Sequence, residues 1–383
     1  MDFAFTEEQE ALREQARGFL AEHASSEAVR RAMASECGFE PALWKRMGGE
    51  LGWTGVAIPE ALGGAGLSFV EMVALLEPMG EVVLAAPFFA TACLAAPVLL
   101  GAPETAAARE WLPAIAEGAV TATLAAGGAD ERMGQRAGDI VWRRQGAGFQ
   151  LAGRDGFVLD GASADLLLVA AREEGAGAAG RVALFAVPAA SRGVERQALV
   201  TMDQTRRFAA LALRDVEAPP AALVVGPDGG AAALERALDL AAVALAAEQT
   251  GGAQRCLDLS VAYALERVQF GRPIGGFQAI KHKCADAMGQ VETARSAAWY
   301  AGCAAAEGHE DLATTASTAK AWCSEAYFRC AADALQIHGG VGFTWEYDVH
   351  LHLKRARSME AWLGTPAWHR ERVARAIGLG AAP

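Results

Sequence analysis

The chain has 383 residues, 52% of them hydrophobic, and a formal net charge of −12. That apolar content can bury large cores, and the length allows two or three domains. The acidic balance argues against a nucleic-acid-binding protein, because such binding depends on clustered lysine and arginine side chains that neutralise phosphates.

The cysteines and the apolar segments predict a protein of the cytoplasm without a membrane-spanning helix. Seven cysteines form no Cys-x-x-Cys pair and lie mostly in apolar helical patterns, which predicts free thiols in a reducing cytoplasm. Residues 82–100 are almost wholly apolar, but Pro87, Thr91 and Pro97 divide them, so we expect buried helices and no membrane span. The N-terminus lacks the pattern of a secretory signal.

The first part of the chain has a helical pattern. A helix is predicted over 6–23 with Thr6 as N-cap, and a second over 41–49. A third follows Ser68, with Glu71 at the third position of a capping box. These elements predict an N-terminal helical domain over 1–118.

From 119 to 222 the helical period gives way to short runs with alternating apolar residues. Such runs, separated by glycine and aspartate, predict an antiparallel β-domain. The runs are TATLAA, DIVWRRQ, GFQLAG, DLLLVAA, RVALFAVP and RFAALALRDV.

From 223 to 383 the pattern is helical again. A long helix is predicted over 231–269, broken at Gly251-Gly252, and further helices over 281–307 and 312–337. Their apolar faces recur at three- and four-residue spacing, which predicts a helical bundle.

Two stretches in this last part carry specific patterns. Residues 264–287 read ALERVQFGRPIGGFQAIKHKCADA and residues 336–347 read QIHGGVGFTWEY. They resemble the acyl-CoA dehydrogenase patterns E-R-x-x-F-G-x-x-I-x-x-F-Q-x-I and Q-I-x-G-G-x-G-[FY]-x-x-E-[YF]. The resemblance implies an N-terminal helical domain, a small antiparallel β-barrel and a C-terminal four-helix bundle. It also implies FAD-dependent α,β-dehydrogenation of an acyl-CoA thioester.

The resemblance assigns a role to several residues. Arg267 would bind the flavin pyrophosphate, reaching across an interface to a flavin held mainly by the neighbouring subunit. Asp239 would contact the pantetheine arm of the substrate. The residues assigned to the flavin are Phe157, Arg267, Gln269, Phe270, Gln336, Gly339, Gly340 and Thr365.

Other positions depart from the family pattern. Leu363 stands where many members have the catalytic glutamate, and Ala241 stands at the alternative position of the base. Residues 123–133 lack the T-E-P-x-x-G-S-D run whose hydroxyls and amides contact the flavin and the acyl chain. Asp155 replaces a usual lysine.

Glu248 is the one candidate for a substitute base. It lies seven residues after Ala241, about two turns along the same helical face. A glutamate paired with a nearby arginine, or capping the Gly251 break, is the alternative interpretation. The basic run of Lys354, Arg355 and Arg357 is most simply a solvated face or an interface charge. His338, His350 and His352 do not have converging metal-ligand spacing, and no metal site is expected.

Three hypotheses follow. The chain is the subunit without a base in a heterotetramer with a homologous acyl-CoA dehydrogenase chain, acting on a bulky or steroid-like acyl-CoA. Alternatively, it is a self-sufficient homotetramer that uses Glu248. A third alternative is a flavin-free structural paralogue. For the enzymes, electron-transfer flavoprotein is the implied acceptor.

Overall fold

The computed structural model describes residues 5–133 and 138–379. They fall into two compact units that do not follow the chain in order. The helical unit contains the chain up to Arg31, then Phe69–Leu84, then the chain from Ala242 onward. The sheet unit combines Ala32–Ser68 with Ala85–Ala241. The division into three sequential domains remains a prediction.

The described α-helices and strands are named here in chain order. The helices are α1 Glu7–His23, α2 Ser26–Ala34, α3 Pro41–Lys45, α4 Phe69–Glu81, α5 Ala96–Leu100, α6 Ala106–Ala116, α7 Gly230–Glu266, α8 Gln278–Glu307, α9 Leu312–His338, α10 Val349–Ala361 and α11 Pro366–Ala376. The strands are β1 Ala122–Ala125, β2 Gly138–Gln145, β3 Gly148–Leu159, β4 Leu166–Glu173, β5 Val182–Pro188, β6 Val194–Ala198, β7 Phe208–Ala218, β8 Leu223–Val225, β9 Val268–Gln269 and β10 Arg272–Pro273.

The helical unit begins with α1, which starts where its sequence predicts. The Gln9 amide donates to Thr6 Oγ1 at 3.3 Å, and the Thr6 amide donates to Gln9 Oε1 at 3.0 Å. This capping box satisfies amides that have no partner within the helix. The helix packs on α4, to which the ion pair between Arg17 and Glu81 joins it at 2.8 Å.

Four helices of the helical unit, α7, α8, α9 and α10, enclose one apolar core. Its buried members come from each of the four, and many are small, so the helices can approach closely. They include Ala253, Cys256, Ala287, Val291, Tyr327, Cys330, Ala331, Ala334, Val349 and Ala356. The predicted C-terminal bundle is therefore present. Over the described ranges, no helix combines the length and hydropathy that a membrane crossing requires.

The predicted break in the long helix is wrong, because α7 runs without interruption through Gly251 and Gly252. A Cβ at Gly251 would overlap the carbonyl oxygen of Glu77 on α4. In return, a Cβ at Gly80 of α4 would overlap the carbonyl oxygen of Glu248. The two helices therefore cross backbone to backbone, and the glycines permit that approach rather than ending the helix.

The sheet unit contains one sheet with the order β6-β7-β3-β2-β4-β5-β8, and β1 pairs with β4 beside this path. Strand β1 runs parallel to β4 in the register Ala122 to Leu166, and β2 also runs parallel to β4. The predicted antiparallel barrel is therefore incorrect in detail. The sheet is mixed. The connection from β1 to β4 contains the β2–β3 hairpin and that from β2 to β4 contains β3, and both are long enough for parallel pairing. Among the described residues, the end strands β6 and β8 do not pair with each other.

Candidate functional site

Two stacked rings hold the C-terminal ends of α7 and α9 together. The Tyr263 ring lies on the His338 imidazole with 4.3 Å between centroids and 20° between planes. Burial lowers the pKa of His338, so the imidazole is neutral at pH 7, and its Nδ1–H donates to the Ala334 carbonyl at 2.7 Å. Tyr263 precedes Arg267 by one turn and His338 follows Gln336 by two residues. The stack therefore joins the ends of the two helices that lead into the sequence-predicted flavin segments.

A two-residue hairpin turn follows α7 and exposes the first segment. Strands β9 and β10 pair and leave Phe270 and Gly271 as the turn, with φ values of 51° and 74°. Two positive φ values are typical of a type I′ turn, which prefers asparagine followed by glycine. Phe270 instead places a bulky side chain in this strained conformation and is 92% exposed. Arg267 and Gln269 are exposed beside it.

The second segment presents accessible backbone. Gln336 is exposed on the last turn of α9, and Gly339 has a φ of 62°. A Cβ at Gly339 or Gly340 would meet nothing within 4 Å, so a ligand can approach this main chain closely. We call the two segments together the donor surface. It consists of Arg267, Gln269, Phe270, Gln336, Gly339 and Gly340.

The donor surface has the chemistry that the anionic end of FAD requires. A guanidinium presents a planar set of N–H donors that suits a pyrophosphate. The Arg267 guanidinium is exposed, so an anion can reach it in the folded chain.

Glu248 lies in a buried ion pair. It is 6% exposed, and its Oε1 accepts from Arg355 Nη1 at 2.6 Å. Arg355 Nη2 also donates to the carbonyls of Val83 and Leu84, at 3.4 and 3.1 Å. The solvated face predicted for the basic run is therefore wrong for Arg355, which is 2% exposed. This geometry favours the interpretation of Glu248 as a paired structural glutamate.

A buried lysine holds the turn that carries Leu363. Leu363 is fully buried with a φ of 57°. Lys320 Nζ donates to the carbonyls of Glu360 and Gly364, at 3.3 and 3.2 Å, and to Ser324 Oγ at 2.9 Å. Burial lowers the pKa of Lys320 to about 7, against the opposing charge of Glu360. The leucine side chain cannot accept a proton.

Thr365, which was assigned to the flavin, has a local structural role in the same turn. It is the N-cap of α11, and its Oγ1 accepts from the Trp368 amide at 3.2 Å. The threonine is exposed, so its hydroxyl can also be reached from solvent.

In the sheet unit, Asp239 forms an ion pair with Arg132. Arg132 Nη1 donates to Asp239 Oδ1 at 2.6 Å, and both residues are 4% exposed. The same guanidinium donates through Nε and Nη2 to the Asp130 carboxylate, at 3.0 and 2.9 Å. The aspartate assigned to the pantetheine arm is therefore bound by the segment that lacks the family's flavin motif.

Phe157 and Asp155 lie on β3 near the end of β1. The Phe157 ring is 39% exposed and stacks on Phe208 with 4.1 Å between centroids. Asp155 is 1% exposed, and its carboxylate accepts from the amides of Gly127 and Phe157, at 2.7 and 3.0 Å. Of the predicted site residues, Phe157 and Asp239 belong to the sheet unit and the others to the helical unit.

Sequence reasoning missed the residues that organise these sites. His338 was considered only as a metal ligand, although Tyr263 immediately precedes one motif and His338 lies within the other. Lys320 lies on the apolar face of α9, three residues before Cys323 and seven before Tyr327. An isolated lysine in that pattern is a signal of a buried amine.

Profiles of protein families match most of the chain. One described as "Acyl-CoA dehydrogenase, N-terminal domain" matches residues 6–119, and one described as "Acyl-CoA dehydrogenase, C-terminal domain" matches residues 228–378. The acyl-CoA dehydrogenase IpdE2 of Mycolicibacterium smegmatis is 36% identical over 365 residues, which cover 94% of this chain and 96% of that protein. The chain belongs to the acyl-CoA dehydrogenase family. The prediction of an oxidoreductase of this family is thereby confirmed.

Solved acyl-CoA dehydrogenase structures share the fold. A chain of the ChsE4-ChsE5 complex from Mycobacterium tuberculosis is 29% identical, with a TM-score of 0.89 over 100% of both chains. A chain from a variant of the Tcur3481-Tcur3483 steroid ACAD is 32% identical, with a TM-score of 0.85 over 97% of this chain and 98% of that chain. The acyl-CoA dehydrogenase fold predicted from the two C-terminal motifs is confirmed.

Proposed function

We propose that this chain is the subunit without a catalytic base in a heterotetrameric, FAD-dependent acyl-CoA dehydrogenase. It contributes its donor surface to a flavin held by a homologous partner chain. The partner supplies the glutamate that removes the α-proton and most of the flavin-binding residues. The substrate is a bulky or steroid-like acyl-CoA.

The observation that supports a subunit interface at the donor surface is Phe270, and the buried Leu363 is the one that leaves this chain without the usual base. An aromatic side chain that is 92% exposed, in a backbone conformation that favours asparagine, is unfavourable for an isolated chain. Both costs are offset if the ring is buried against another subunit or its cofactor. Arg267 lies at the same hairpin, and the Tyr263–His338 stack joins the helix before this hairpin to the helix that carries Gln336.

The reaction needs a base and a hydride acceptor, and the residues of this chain supply neither of them. FAD, when bound, supplies the hydride acceptor for the β-carbon. Arg267 neutralises pyrophosphate charge, and Gln336 with the Gly339–Gly340 backbone holds the adenosine part. Leu363 cannot take a proton, and the Glu248 carboxylate is already bound to Arg355. The chain therefore positions a cofactor for chemistry that occurs on its partner.

The names of similar proteins support the proposed substrate class and heteromeric assembly. The similar ChsE4-ChsE5 structure is a complex of two proteins, and the Tcur3481-Tcur3483 protein is a steroid ACAD. We extend both properties to this chain. We also propose electron-transfer flavoprotein as the acceptor and the cytoplasm as the compartment, in which the seven free cysteines stay reduced.

The test is flavin occupancy in the assembled protein. The chain is co-expressed with a homologous chain that has the catalytic glutamate at the position of Leu363 and the T-E-P-x-x-G-S-D run. The flavin-to-protein ratio is read from absorbance. We expect Arg267→Ala to lower the ratio. The matched control is Arg272→Ala, since Arg272 is exposed in the same hairpin but packs over the Phe277 ring at 4.1 Å. An unchanged ratio in Arg267→Ala would refute the proposal.

A further inference from the structure

The Asp155 carboxylate binds backbone donors at the end of β1. Its Oδ2 accepts from the Gly127 amide at 2.7 Å, and its Oδ1 accepts from the Phe157 amide at 3.0 Å. Burial raises the pKa of Asp155, and the amides of Phe157, Gly127 and Ala126 act in the opposite direction. These amides belong to the two segments that the family resemblance assigns to the flavin. Here they bind a carboxylate of the same chain.

Two arginine side chains also hold the loop after β1 in place. Arg172 Nη2 donates to the carbonyls of Gly128 and Ala129, at 3.1 and 3.2 Å. Arg132, at the far end of the loop, is bound to Asp239 and Asp130. The buried carboxylate of Asp155 therefore lies at the position assigned to the flavin ring, and the buried guanidinium of Arg132 lies at the position assigned to the pantetheine arm.

This arrangement does not fit a flavin ring. The edge of an isoalloxazine ring presents carbonyl oxygens and nitrogens that need N–H donors. One amide proton serves one strong acceptor at full strength, and the Asp155 oxygens are charged acceptors already at 2.7 and 3.0 Å. A flavin must displace a buried carboxylate and leave it without its hydrogen bonds, which is unfavourable.

We propose that Asp155 is the residue that excludes flavin from this chain's own site, so that only the donor surface takes part in flavin binding. This inference rests on the proposed function, because it explains why flavin would occupy only the interfaces where the partner provides the site. Arg132 binds Asp239, the residue assigned to the pantetheine arm, and so occupies the adjoining substrate position.

The test uses the full-length chain purified alone and titrated with FAD, followed by quenching of flavin fluorescence. We expect no saturable binding to the wild type. In Asp155→Ser the freed amides can bind the ring, and two recovered hydrogen bonds predict at least about tenfold tighter binding. Hydrogen–deuterium exchange at residues 126–127 gives a second measurement. It should become faster in the variant and slower again when FAD is added.

A matched control lies at the other end of β1. The Asp165 carboxylate accepts from the Thr121 amide at 2.8 Å and from Thr121 Oγ1 at 2.9 Å. Asp165→Ser removes a similar contact with the same strand and should not create FAD binding.

The conservative Asp155→Asn variant tests the same idea if the serine variant is unstable. It removes the charge and keeps the side-chain volume, so a smaller gain in FAD affinity is expected. Saturable FAD binding by the wild-type chain, or no gain in any folded Asp155 variant, would overturn the inference. Neither result would affect the dependence of the heteromer on Arg267, so the two proposals fail separately.

Discussion

The imidazole of His338 lies flat on the phenol ring of Tyr263, and the family resemblance assigns neither side chain to the flavin. The ring pair joins the ends of two helices, α7, which leads into Arg267, and α9, which carries Gln336. Preorganised groups lose less entropy when they bind a common ligand.

Tyr263→Ala should therefore lower flavin occupancy of the heteromer although Tyr263 is not assigned a flavin contact. Tyr263→Phe keeps the ring and should preserve occupancy. The flavin-to-protein ratio measures both. Full occupancy in the alanine variant would show that the stack is not needed, and equal losses in both variants would assign the effect to the hydroxyl group.

Phe270→Asn should separate folding from assembly. Asparagine adopts the left-handed conformation at little cost. The free energy of unfolding of the chain alone should therefore stay the same or rise by up to about 1 kcal/mol, and its thermal midpoint should not fall. Burial of a phenylalanine is worth about 1.5–3 kcal/mol, so assembly with the partner should weaken by roughly tenfold or more.

The control for Phe270 is Val200→Ser, which removes a fully exposed apolar side chain in the sheet unit. It should change neither property. If Phe270→Asn left assembly intact, the exposed ring would have no role in the interface.

Glu248→Gln should cost stability. It leaves the buried Arg355 guanidinium without its carboxylate partner, and loss of one member of such a pair typically costs about 3–5 kcal/mol. The double variant Glu248→Leu with Arg355→Met removes both charges and should recover much of that loss. Urea unfolding, monitored by circular dichroism, measures all three proteins.

The same variant distinguishes the homotetramer hypothesis. If Glu248 were the base, Glu248→Gln would abolish acyl-CoA oxidation by the chain alone while stability stayed near that of the wild type. The ion pair predicts the reverse, with little turnover in either protein and a clear loss of stability in the variant.

Lys320 should make stability depend on pH above neutrality. Its folded-state pKa is about 7, below the ordinary 10.5, because of burial. Between these values the unfolded chain holds a proton that the folded chain does not. The free energy of unfolding should therefore rise with pH across this window, by at most about 1.4 kcal/mol per pH unit from this group. Below pH 7 both states are protonated, and the penalty is constant.

Lys320→Met should remove this contribution. As pH increases from 7 to 9, the free energy of unfolding of the wild type should therefore rise relative to that of the variant. Chemical unfolding of both proteins at several pH values measures the difference. Parallel profiles would contradict the lowered pKa.

The elements that could be predicted from the sequence are those with local causes. Thr6 was predicted as the N-cap of α1, and its hydroxyl accepts from the Gln9 amide only three residues away. The six strand runs also matched. In β3 and β7 buried and more exposed residues partly alternate, whereas β1, β4 and β5 are apolar runs that are buried almost throughout. The C-terminal motifs predicted the fold because their residues are contiguous.

The remaining contacts join residues distant in sequence, and no local pattern contains them. Arg132 binds Asp239 across 107 positions, and Lys320 reaches Gly364 across 44. Asp155 was recognised only as a departure from the family, because its partner Gly127 lies 28 positions away. The break at Gly251 was predicted wrongly because helix packing against α4 has no signal in the sequence of α7.

The reciprocal glycine contact between α4 and α7 limits how the protein can vary. Gly80 and Gly251 each face a carbonyl oxygen of the other helix, so no side chain at the crossing can change its rotamer to absorb a larger residue. Any substitution there must separate two whole helices. In a library of all single substitutions, these two positions should tolerate no replacement, whatever partner chain is present. They would therefore serve as an internal reference for loss of folding, against which defects in assembly or cofactor binding can be scaled.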